Sequence, residues 1–462
     1  MQNETRFVGA EAAADTAAGI NHKYGCQGQG GLTMKMKSIL FFGMLVLLSN
    51  VLYAGGKTQP DGSSGGEIKG ELNILWLAGM NQTTVIKEMI ISDFQKRFPT
   101  LKVNIDEGPN NDLPQMIMLE ATSGTSIYDV VMDSASLPQL VNINALYPLD
   151  DYIKRDNFAI NKMVDNGIRY KGHVYGIPVR YDAFLFHWNE EQFRAAGLDP
   201  NKPPKSWNEL REYGIKLTRN GHYGISKGFG NDILSEMYIS ILYSLGGSLC
   251  DDNNNPVFNN AAGLEALNIL MDWLKGSKIV NPAATGWNYS EEIAGYLSGE
   301  AGMFIHYPAR YIDANFKPER SSIIGKSRVA PMWGKSVLTK GYYALMFRTG
   351  KNHDAAWEFL KWLADADVQK RVILAGGDCN PTNLDTLNDP ELQAKYASLR
   401  AISEQFSMAK PYPLNTQSRF IYNTFNKYFN MVALGMMTPQ AALDASSADI
   451  RKALIDVGDL KP

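Results

Sequence analysis

Two residues with side chains suited to ligand contact stand where predicted strands end. The apolar run 72–77 carries Trp76 near its end, and the run 128–132 is followed directly by Asp133. In open α/β sheets, ligands bind off the carboxyl ends of the strands. An indole ring offers a flat apolar surface, and a carboxylate accepts hydrogen bonds. The sequence therefore predicts a binding edge that includes these two side chains.

The elements around these residues are typical of an α/β sheet with crossover helices. A helix before Pro99 is predicted by apolar residues at a spacing of four, namely Ile86, Ile90, Phe94 and Phe98. Because alternating apolar residues at 101–105 predict a strand, the chain forms a strand–helix–strand unit, which indicates parallel strands. Further strands are expected at 174–178, 184–188, 301–306 and 343–347. Helices are expected at 113–122, 264–274 and 355–374, and after the cap Thr438.

Several short sequences resemble catalytic motifs but lack the necessary context. Residues 224–228 read GISKG, but a nucleophile elbow requires a strand–turn–helix setting, and this segment is predicted to be a loop. The two GKS tripeptides lack the glycine that a phosphate loop needs five positions before its second glycine. The acidic pairs at 150–151, 190–191 and 291–292 are adjacent, so their side chains diverge, and most are expected on the surface.

The composition excludes several classes of protein. The chain has 462 residues, of which 45% are hydrophobic and 20% charged, and this is ordinary for a folded protein with a large core. A net charge of -3 argues against a nucleic-acid-binding protein, which usually carries a basic excess. The six histidines include no HxxxH pair, and three cysteines cannot form a disulfide scaffold. A bridge between Cys250 and Cys379 remains open.

The N-terminal segment is predicted to direct export. Residues 39–48 form a short uncharged apolar run that follows two lysines and precedes small residues, which is the pattern of a secretory signal peptide at 34–54. The run is too short for a membrane span of about 20 residues, although an uncleaved leader could still tether the chain. We expect Met34 to be the start codon, with 1–33 a non-native upstream extension. Residues 55–70 are predicted to be a flexible tether.

One run of sequence carries a family resemblance. Residues from Gly172 to Leu198 read GHVYGIPVRYDAFLFHWNEEQFRAAGL, and SWNEL follows at 206–210. This run resembles the family 1 extracellular solute-binding proteins, the sugar-binding subunits of ABC importers related to maltose-binding protein. Further pieces match in order, namely FQKRFP at 94–99, YDVV at 128–131, YPLDDYI at 147–153, SGEAGM at 298–303 and AAWEFL at 355–360. The resemblance covers nearly the whole chain after the leader.

The resemblance implies a fold and a division of the chain. It predicts an α/β, two-lobe periplasmic-binding-protein fold of type II, with discontinuous lobes joined by a hinge of several crossings. We expect the first lobe at 71–180 plus 317–378 and the second at 181–316 plus 379–462. The first crossing is expected near residues 180–182, where the composition also becomes more helical.

A sugar site, as the resemblance implies, needs flat apolar surfaces and planar hydrogen-bonding groups in a preformed cleft. The candidate ligand-binding residues are Trp76, Asn81, Asn110, Asn111, Asp133, Tyr181, Asp182, Trp287, Tyr307, Gly341 and Tyr342. Trp333 is a weaker stacking candidate, whereas five tryptophans are expected to pack in the core: Trp188, Trp207, Trp273, Trp357 and Trp362. No catalytic residue, metal or cofactor is expected.

Most of these residues also have a structural interpretation. Asp133 could cap the following helix, and the loop asparagines could form turns. Tyr181 and Asp182 could face either the cleft or the backbone, while Arg180 is expected to form a structural ion pair. Glycine at 341 would allow a close approach of the backbone to a ligand.

The sequence thus predicts an extracytoplasmic, monomeric receptor, not an enzyme, that delivers a sugar or oligosaccharide to the membrane permease of an ABC importer. The lobes would close around the ligand, and only contacts stronger in the closed state shift that equilibrium. Three alternatives stay open: the same fold with a polyamine, the same fold with ferric iron, and an extracytoplasmic carbohydrate-active enzyme. No nucleic-acid partner is expected.

Overall fold

A computed structural model describes residues 68–109, 112–134, 136–164, 167–230, 234–334, 338–378, 380–411 and 416–461. The segment 1–33, the predicted signal peptide and nearly all of the predicted tether lie outside these residues. Cys379 also lies outside them, and Cys250 forms no disulfide within the described residues. A bridge between these two cysteines, which the sequence leaves open, therefore stays untested.

The strands fall into two main sheets and a short hairpin. In chain order they are β1 (Gly70–Leu77), β2 (Leu101–Gly108), β3 (Val130–Asp133), β4 (Arg169–Tyr170), β5 (His173–Val174), β6 (Gly176–Ala183), β7 (Leu185–Asn189), β8 (Tyr223–Ser226), β9 (Ala301–His306), β10 (Ser327–Pro331), β11 (Leu338–Met346) and β12 (Lys410–Pro411).

The helices cover the faces of these sheets. They are α1 (Asn81–Met89), α2 (Gln95–Arg97), α3 (Leu113–Ser123), α4 (Leu137–Asn142), α5 (Asp150–Arg155), α6 (Glu190–Ala195), α7 (Trp207–Leu217), α8 (Leu234–Ser244), α9 (Ala261–Met271), α10 (Tyr289–Leu297), α11 (Ala309–Phe316), α12 (His353–Ala364), α13 (Ala366–Leu374), α14 (Leu384–Leu387), α15 (Pro390–Lys395), α16 (Ala397–Phe406), α17 (Ser418–Ala433) and α18 (Pro439–Asp456). The π-helical turns Ile90–Phe94 and Asp272–Gly276 extend α1 and α9, and 3-10 turns lie at Ile160–Lys162 and Pro282–Gly286.

The first sheet has the predicted parallel centre. β1 pairs in parallel with both β2 and β3. β11 is antiparallel to β3 and to β6 and parallel to β12. Its core includes the apolar faces of α1, α12 and α13. We call this sheet and its helices the first lobe.

The second sheet follows the order β10-β7-β9-β8. β7 is antiparallel to both β10 and β9, whereas β8 and β9 are parallel. Its core takes in α8, α9, α17 and α18, so the C-terminal helices pack on this sheet. We call it and its helices the second lobe.

The structure moves two of the predicted lobe boundaries. β6 pairs with β11 as far as Ala183, so the chain leaves the first sheet at Phe184 and not at 180–182. β10 pairs with β7, so residues from Ser327 to Pro331 belong to the second sheet, and the predicted return to the first lobe at 317 is too early. The return crossing lies between β10 and β11.

Candidate functional site

The hinge strand β6 carries a buried charged network. Arg180 Nε donates to Asp182 Oδ2 at 2.8 Å, and Arg180 Nη1 donates to Asp378 Oδ2 at 2.8 Å. Asn380 Nδ2 donates to the other oxygen of Asp182. All four side chains are buried. We call Arg180, Asp182, Asp378 and Asn380 the hinge network.

This network keeps its guanidinium charged. Burial by itself lowers the pKa of Arg180, but the neighbouring carboxylates of Asp182 and Asp378 raise it above the ordinary arginine value. Arg180 thus has the structural ion pairs that the sequence predicted. It links β6 to a segment 198 residues further along the chain.

The second lobe faces the hinge with a tyrosine–glutamate pair. Tyr307 directly follows β9, and its hydroxyl donates to Glu236 Oε2 of α8 at 2.5 Å. Both side chains are buried. Burial raises the pKa of Tyr307 well above its ordinary value, and the nearby carboxylates of Glu236 and Asp182 raise it further. The phenol therefore stays protonated, and the hinge network lies within electrostatic range of the second lobe.

Aromatic side chains surround this pair. The Phe184 and Tyr307 ring centroids are 4.9 Å apart, His306 and Tyr307 are 5.1 Å apart, and Tyr289 and His306 are 4.9 Å apart. Tyr289 is 38% exposed, although burial around its hydroxyl raises the pKa of Tyr289. We call Phe184, Tyr289, His306 and Tyr307 the aromatic face.

The histidine of the aromatic face is held neutral. The backbone N–H of Tyr307 donates to His306 Nδ1 at 2.8 Å, so the neutral ring carries its proton on Nε2. Burial, together with the nearby charges of Arg310 and Lys227, lowers the pKa of His306 well below its ordinary value. The face therefore offers uncharged hydrogen-bonding groups on apolar rings.

A second ion pair lies inside the second lobe, at the carboxyl end of β8. Lys227 Nζ donates to Glu292 Oε2 at 2.8 Å and to Oε1 at 3.1 Å, and Gly228 N–H donates to Oε2 at 3.0 Å. Burial raises the pKa of Glu292, and Lys227 opposes that rise. We call Lys227 and Glu292 the second-lobe pair. The expectation that the acidic pairs lie mostly on the surface is wrong for Glu292, which is 2% exposed.

Trp76 does not face a cleft. It is 2% exposed and meets Phe359 of α12 edge-on, with ring centroids 6.1 Å apart, so it belongs to the first-lobe core. Its strand is covered by helices, and an inward position on β1 places the ring against them. The prediction that Trp76 stacks on a ligand is therefore wrong, and the ring packs in the core instead.

The other two stacking candidates lie in the second lobe. Trp287 is half-buried beside α10, where a Cβ on Gly295 would approach its ring to 3.2 Å. It stands two residues before Tyr289, and its role stays a prediction. Trp333 packs edge-on against Trp207, with ring centroids 4.8 Å apart.

The two hinge candidates point to opposite faces of β6. Because side chains alternate along a strand, Tyr181 lies opposite Asp182. The Tyr181 ring is fully buried and meets Phe406 of α16 edge-on, at 5.2 Å between centroids. Tyr181 therefore packs beneath the hinge, whereas Asp182 joins the hinge network.

Three further candidates have structural roles or half-buried positions. Asp133 Oδ2 accepts from Ser136 N–H at 2.6 Å and so closes the turn before α4, but the N-cap residue of that helix is Ser136 and not Asp133. Gly341 makes room for Tyr343, because a Cβ there would lie 2.2 Å from the Tyr343 hydroxyl. The predicted close approach of a ligand to the Gly341 backbone stays a prediction. Tyr342 is half-buried, and the Arg180 guanidinium carbon lies 5.9 Å from its ring centroid.

The asparagine candidates remain predictions. Asn110 and Asn111 lie outside the described residues, and Asn81 begins α1 with a side chain that also lies outside them. The sequence missed Glu236, Tyr289 and His306. Of these three, only His306 could have been found from the sequence, because it ends the predicted strand 301–306 and ligands bind at the carboxyl ends of strands.

The structure also bears on three other features, namely the GISKG segment, metal binding and membrane-spanning helices. Ser226 of the GISKG segment ends β8, a strand where a loop was predicted, and its buried hydroxyl donates to the Glu292 carbonyl at 2.6 Å. Among the described residues, no three His, Cys, Asp or Glu side chains group as a metal site. In the same part of the chain, no helix has both the length and the apolar composition for crossing a membrane.

A groove of about 420 Å³ lies on the second lobe between α7 and α9.

The family model for bacterial extracellular solute-binding proteins matches residues 79–370, and the chain belongs to this family. The fold agrees with the maltose-bound MalE3 of T. maritima, with a TM-score of 0.75 and 20% identity over 83% of this chain and all of that chain. The two-lobe fold of type II expected from the sequence is thus confirmed.

Two curated relatives extend this comparison. A "Probable amino-acid ABC transporter periplasmic-binding protein" of Sinorhizobium fredii is 30% identical over 61% of this chain. The match spans 66% of that relative, slightly less than two thirds of its length. A mannitol-binding protein of Pseudomonas aeruginosa is 24% identical over 80% of this chain and 91% of the relative.

Proposed function

We propose that this protein is an extracytoplasmic receptor that binds a sugar or polyol and delivers it to the permease of an ABC importer. The observation that carries the proposal is the juxtaposition of the Tyr307–Glu236 pair, the hinge network and the half-exposed Tyr289 at one place between the lobes. The mannitol-binding relative supports a polyhydroxylated ligand.

The chemistry of this place suits a ligand with hydroxyl groups and apolar ring or chain faces. Glu236 and Asp182 supply carboxylate acceptors, and Tyr289 supplies an aromatic surface beside them. The cations near this place already bond to carboxylates: Arg180 to Asp182 and Asp378, Arg310 to Asp313, and Lys227 to Glu292. This arrangement favours an uncharged ligand over an anionic one.

Delivery would follow from movement about the crossings between the lobes. Asp182 precedes the crossing at Phe184, and Tyr307 belongs to the second lobe, so a ligand between them contacts both sides of the hinge. Because a ligand shifts a conformational equilibrium only by its difference in affinity for the two states, contacts from both lobes favour the closed form. The permease would recognise that closed form. We expect a monomer with no catalytic activity.

Thermal unfolding against a panel of ligands tests this proposal. The panel contains polyols, mono- and oligosaccharides, amino acids, a polyamine and ferric iron. A ligand at about a thousand times its Kd adds roughly 4 kcal/mol of stability. We expect one sugar or polyol class to raise Tm without being turned over. A shift with amino acids alone, or with cations alone, would overturn the ligand class, and turnover of a saccharide would overturn the receptor assignment.

A pair of variants locates the ligand. Tyr289→Ala removes the half-exposed ring of the aromatic face and should weaken binding about fivefold, since a ring contact contributes on the order of 1 kcal/mol. Tyr428→Ala is the matched control, because that tyrosine bonds to Asp449 at 2.8 Å in the C-terminal helices. Equal affinities of the two variants would place the ligand elsewhere.

A further inference from the structure

A small cavity lies behind the hinge strand in the first lobe. Its volume is about 10 Å³, and it is bordered by α1, α12, α13, β6 and the residues Asp378, Asn380 and Pro381. Its polar lining comes from Gln82, Gln369, Asp378 and Asn380. A volume of this size accommodates one water molecule.

Two amide oxygens of this lining accept no hydrogen bond within the described part of the chain. They are Gln82 Oε1 and Asn380 Oδ1. Both side chains are more than nine-tenths buried, with exposed fractions of 9% and 3%. Buried polar atoms in folded proteins are nearly always hydrogen-bonded, either to protein or to ordered water.

The orientation of each amide follows from the acceptor beside its nitrogen. Gln82 Nε2 donates to the Val179 carbonyl at 3.2 Å, and Asn380 Nδ2 donates to the Asp182 carboxylate. Rotating either amide by half a turn would set its oxygen against another oxygen. Both oxygens are therefore held as acceptors, and each requires a donor.

We propose that one ordered water molecule is bound in this cavity and donates its two hydrogens to Gln82 Oε1 and Asn380 Oδ1. A water molecule supplies two donors in the space of one probe sphere, which matches both the volume and the two acceptors. Through Asn380 it joins the N-terminal turn of α1 to Asp182, and so to the hinge network. The site is separate from the proposed ligand contacts on the second lobe.

A crystal structure of the whole protein at about 1.5 Å resolution or better tests the site directly. A second data set from crystals soaked in thallium(I) gives an anomalous signal wherever a monovalent cation binds. We expect one peak about 2.7–3.2 Å from both amide oxygens, without anomalous signal. An anomalous peak, an absence of density, or a direct bond between the two amides would overturn the proposal.

A pair of variants tests it in solution. Gln82→Leu removes one acceptor, whereas Gln95→Leu is the matched control, because Gln95 Nε2 also donates to a backbone carbonyl, that of Leu101 at 3.4 Å. Oxygen-17 relaxation dispersion counts long-lived internal waters. We expect the count to fall by one in Gln82→Leu and to stay unchanged in Gln95→Leu. An unchanged count in a folded Gln82→Leu protein would contradict the proposal.

Discussion

The hinge network and the second-lobe pair are both buried, but they are built differently. In the hinge network, one guanidinium bonds to two carboxylates, and one of these comes from a distant segment of the chain. In the second-lobe pair, one ammonium bonds to one carboxylate, and β8 and α10 both belong to the same lobe. The first group therefore joins chain segments at the hinge, whereas the second fixes the interior of one lobe.

Because of this difference, we expect the loss of either group to reduce stability, but the loss of the hinge network to weaken ligand binding more. Breaking a buried ion pair is costly because it leaves a charge without its partner, whatever the pair contributes by itself. Loss of the second-lobe pair should therefore reduce stability above all. Loss of the hinge network should reduce stability and also disturb Asp182, whose negative charge raises the pKa of Tyr307 in the second lobe.

The largest effect is expected for Arg180→Met. It leaves two buried carboxylates without their cation, so the free energy of unfolding should fall by roughly 4 kcal/mol. The ligand Kd should rise about tenfold, equivalent to about 1.4 kcal/mol, because Asp182 loses its orientation. Urea unfolding and calorimetric titration measure the two effects.

Arg194→Met is the control for this variant. Arg194 pairs with Glu190 at the surface, with its side chain 52% exposed, so its loss should cost less than about 1 kcal/mol. If Arg180→Met destabilised the protein no more than Arg194→Met, the hinge network would not have the role assigned to it.

Lys227→Met should give the next largest effect. It leaves only Glu292 without its cation, and the Gly228 N–H bond remains, so we expect a loss of roughly 3 kcal/mol. The double variant Lys227→Met/Glu292→Gln removes the charge as well and should recover part of this loss. Ligand affinity should change less than in Arg180→Met. A double variant less stable than the single one would contradict a charge-based cost.

Titration of a buried histidine gives a third test, in a group that belongs to neither ion pair. Burial lowers the pKa of His187 to about 4, below its unfolded value near 6.5. The neutral folded form is therefore stable above pH 6.5, and stability falls as the pH drops from 6.5 towards 4, because the unfolded state binds the proton first. The shift corresponds to a loss on the order of 3 kcal/mol.

The variant His187→Gln isolates this loss. Its unfolding free energy should depend less on pH than that of the wild type between pH 6.5 and 4. His222→Gln is the control variant, because it makes the same change of side chain at an exposed position. Parallel pH profiles for the wild type and His187→Gln would show that this histidine does not titrate as described.

The smallest expected effect comes from the hydroxyl of Tyr307. Tyr307→Phe removes its bond to Glu236 and should cost about 1.5 kcal/mol of stability, with a rise in ligand Kd of about tenfold. Tyr296→Phe removes another buried hydroxyl, which lies 2.6 Å from Ser327 Oγ, and should leave Kd unchanged. Similar Kd values for both variants would exclude Tyr307 from the ligand site.

Much of the fold could be predicted because its signals are local. The strand at Ala301–His306 lies where apolar residues predicted it, and Thr438 caps α18 through its hydroxyl. The predicted helix 355–374 is two helices, because Asp365 accepts from Val368 N–H and caps α13. Apolar periodicity continues across that break, so the spacing alone did not reveal it.

The site was less predictable because it depends on contacts between distant segments. Glu236 lies in the first turn of the buried helix α8, and only the fold brings it to Tyr307, 71 residues away. The prediction for Trp76 was wrong because a position near the end of a strand does not reveal whether the side chain faces a cleft or a core covered by helices. The lobe boundary at 317 was misplaced because the pairing of β10 with β7 has no local signal.

The most direct test of the central claim is a crystal structure of the protein with the sugar or polyol that raises its Tm. We expect a ligand between the lobes, hydrogen-bonded to Asp182 or Glu236 and in contact with the Tyr289 ring. A ligand bound instead in the second-lobe groove beside Trp207 and Trp273, or one that contacts a single lobe, would contradict it.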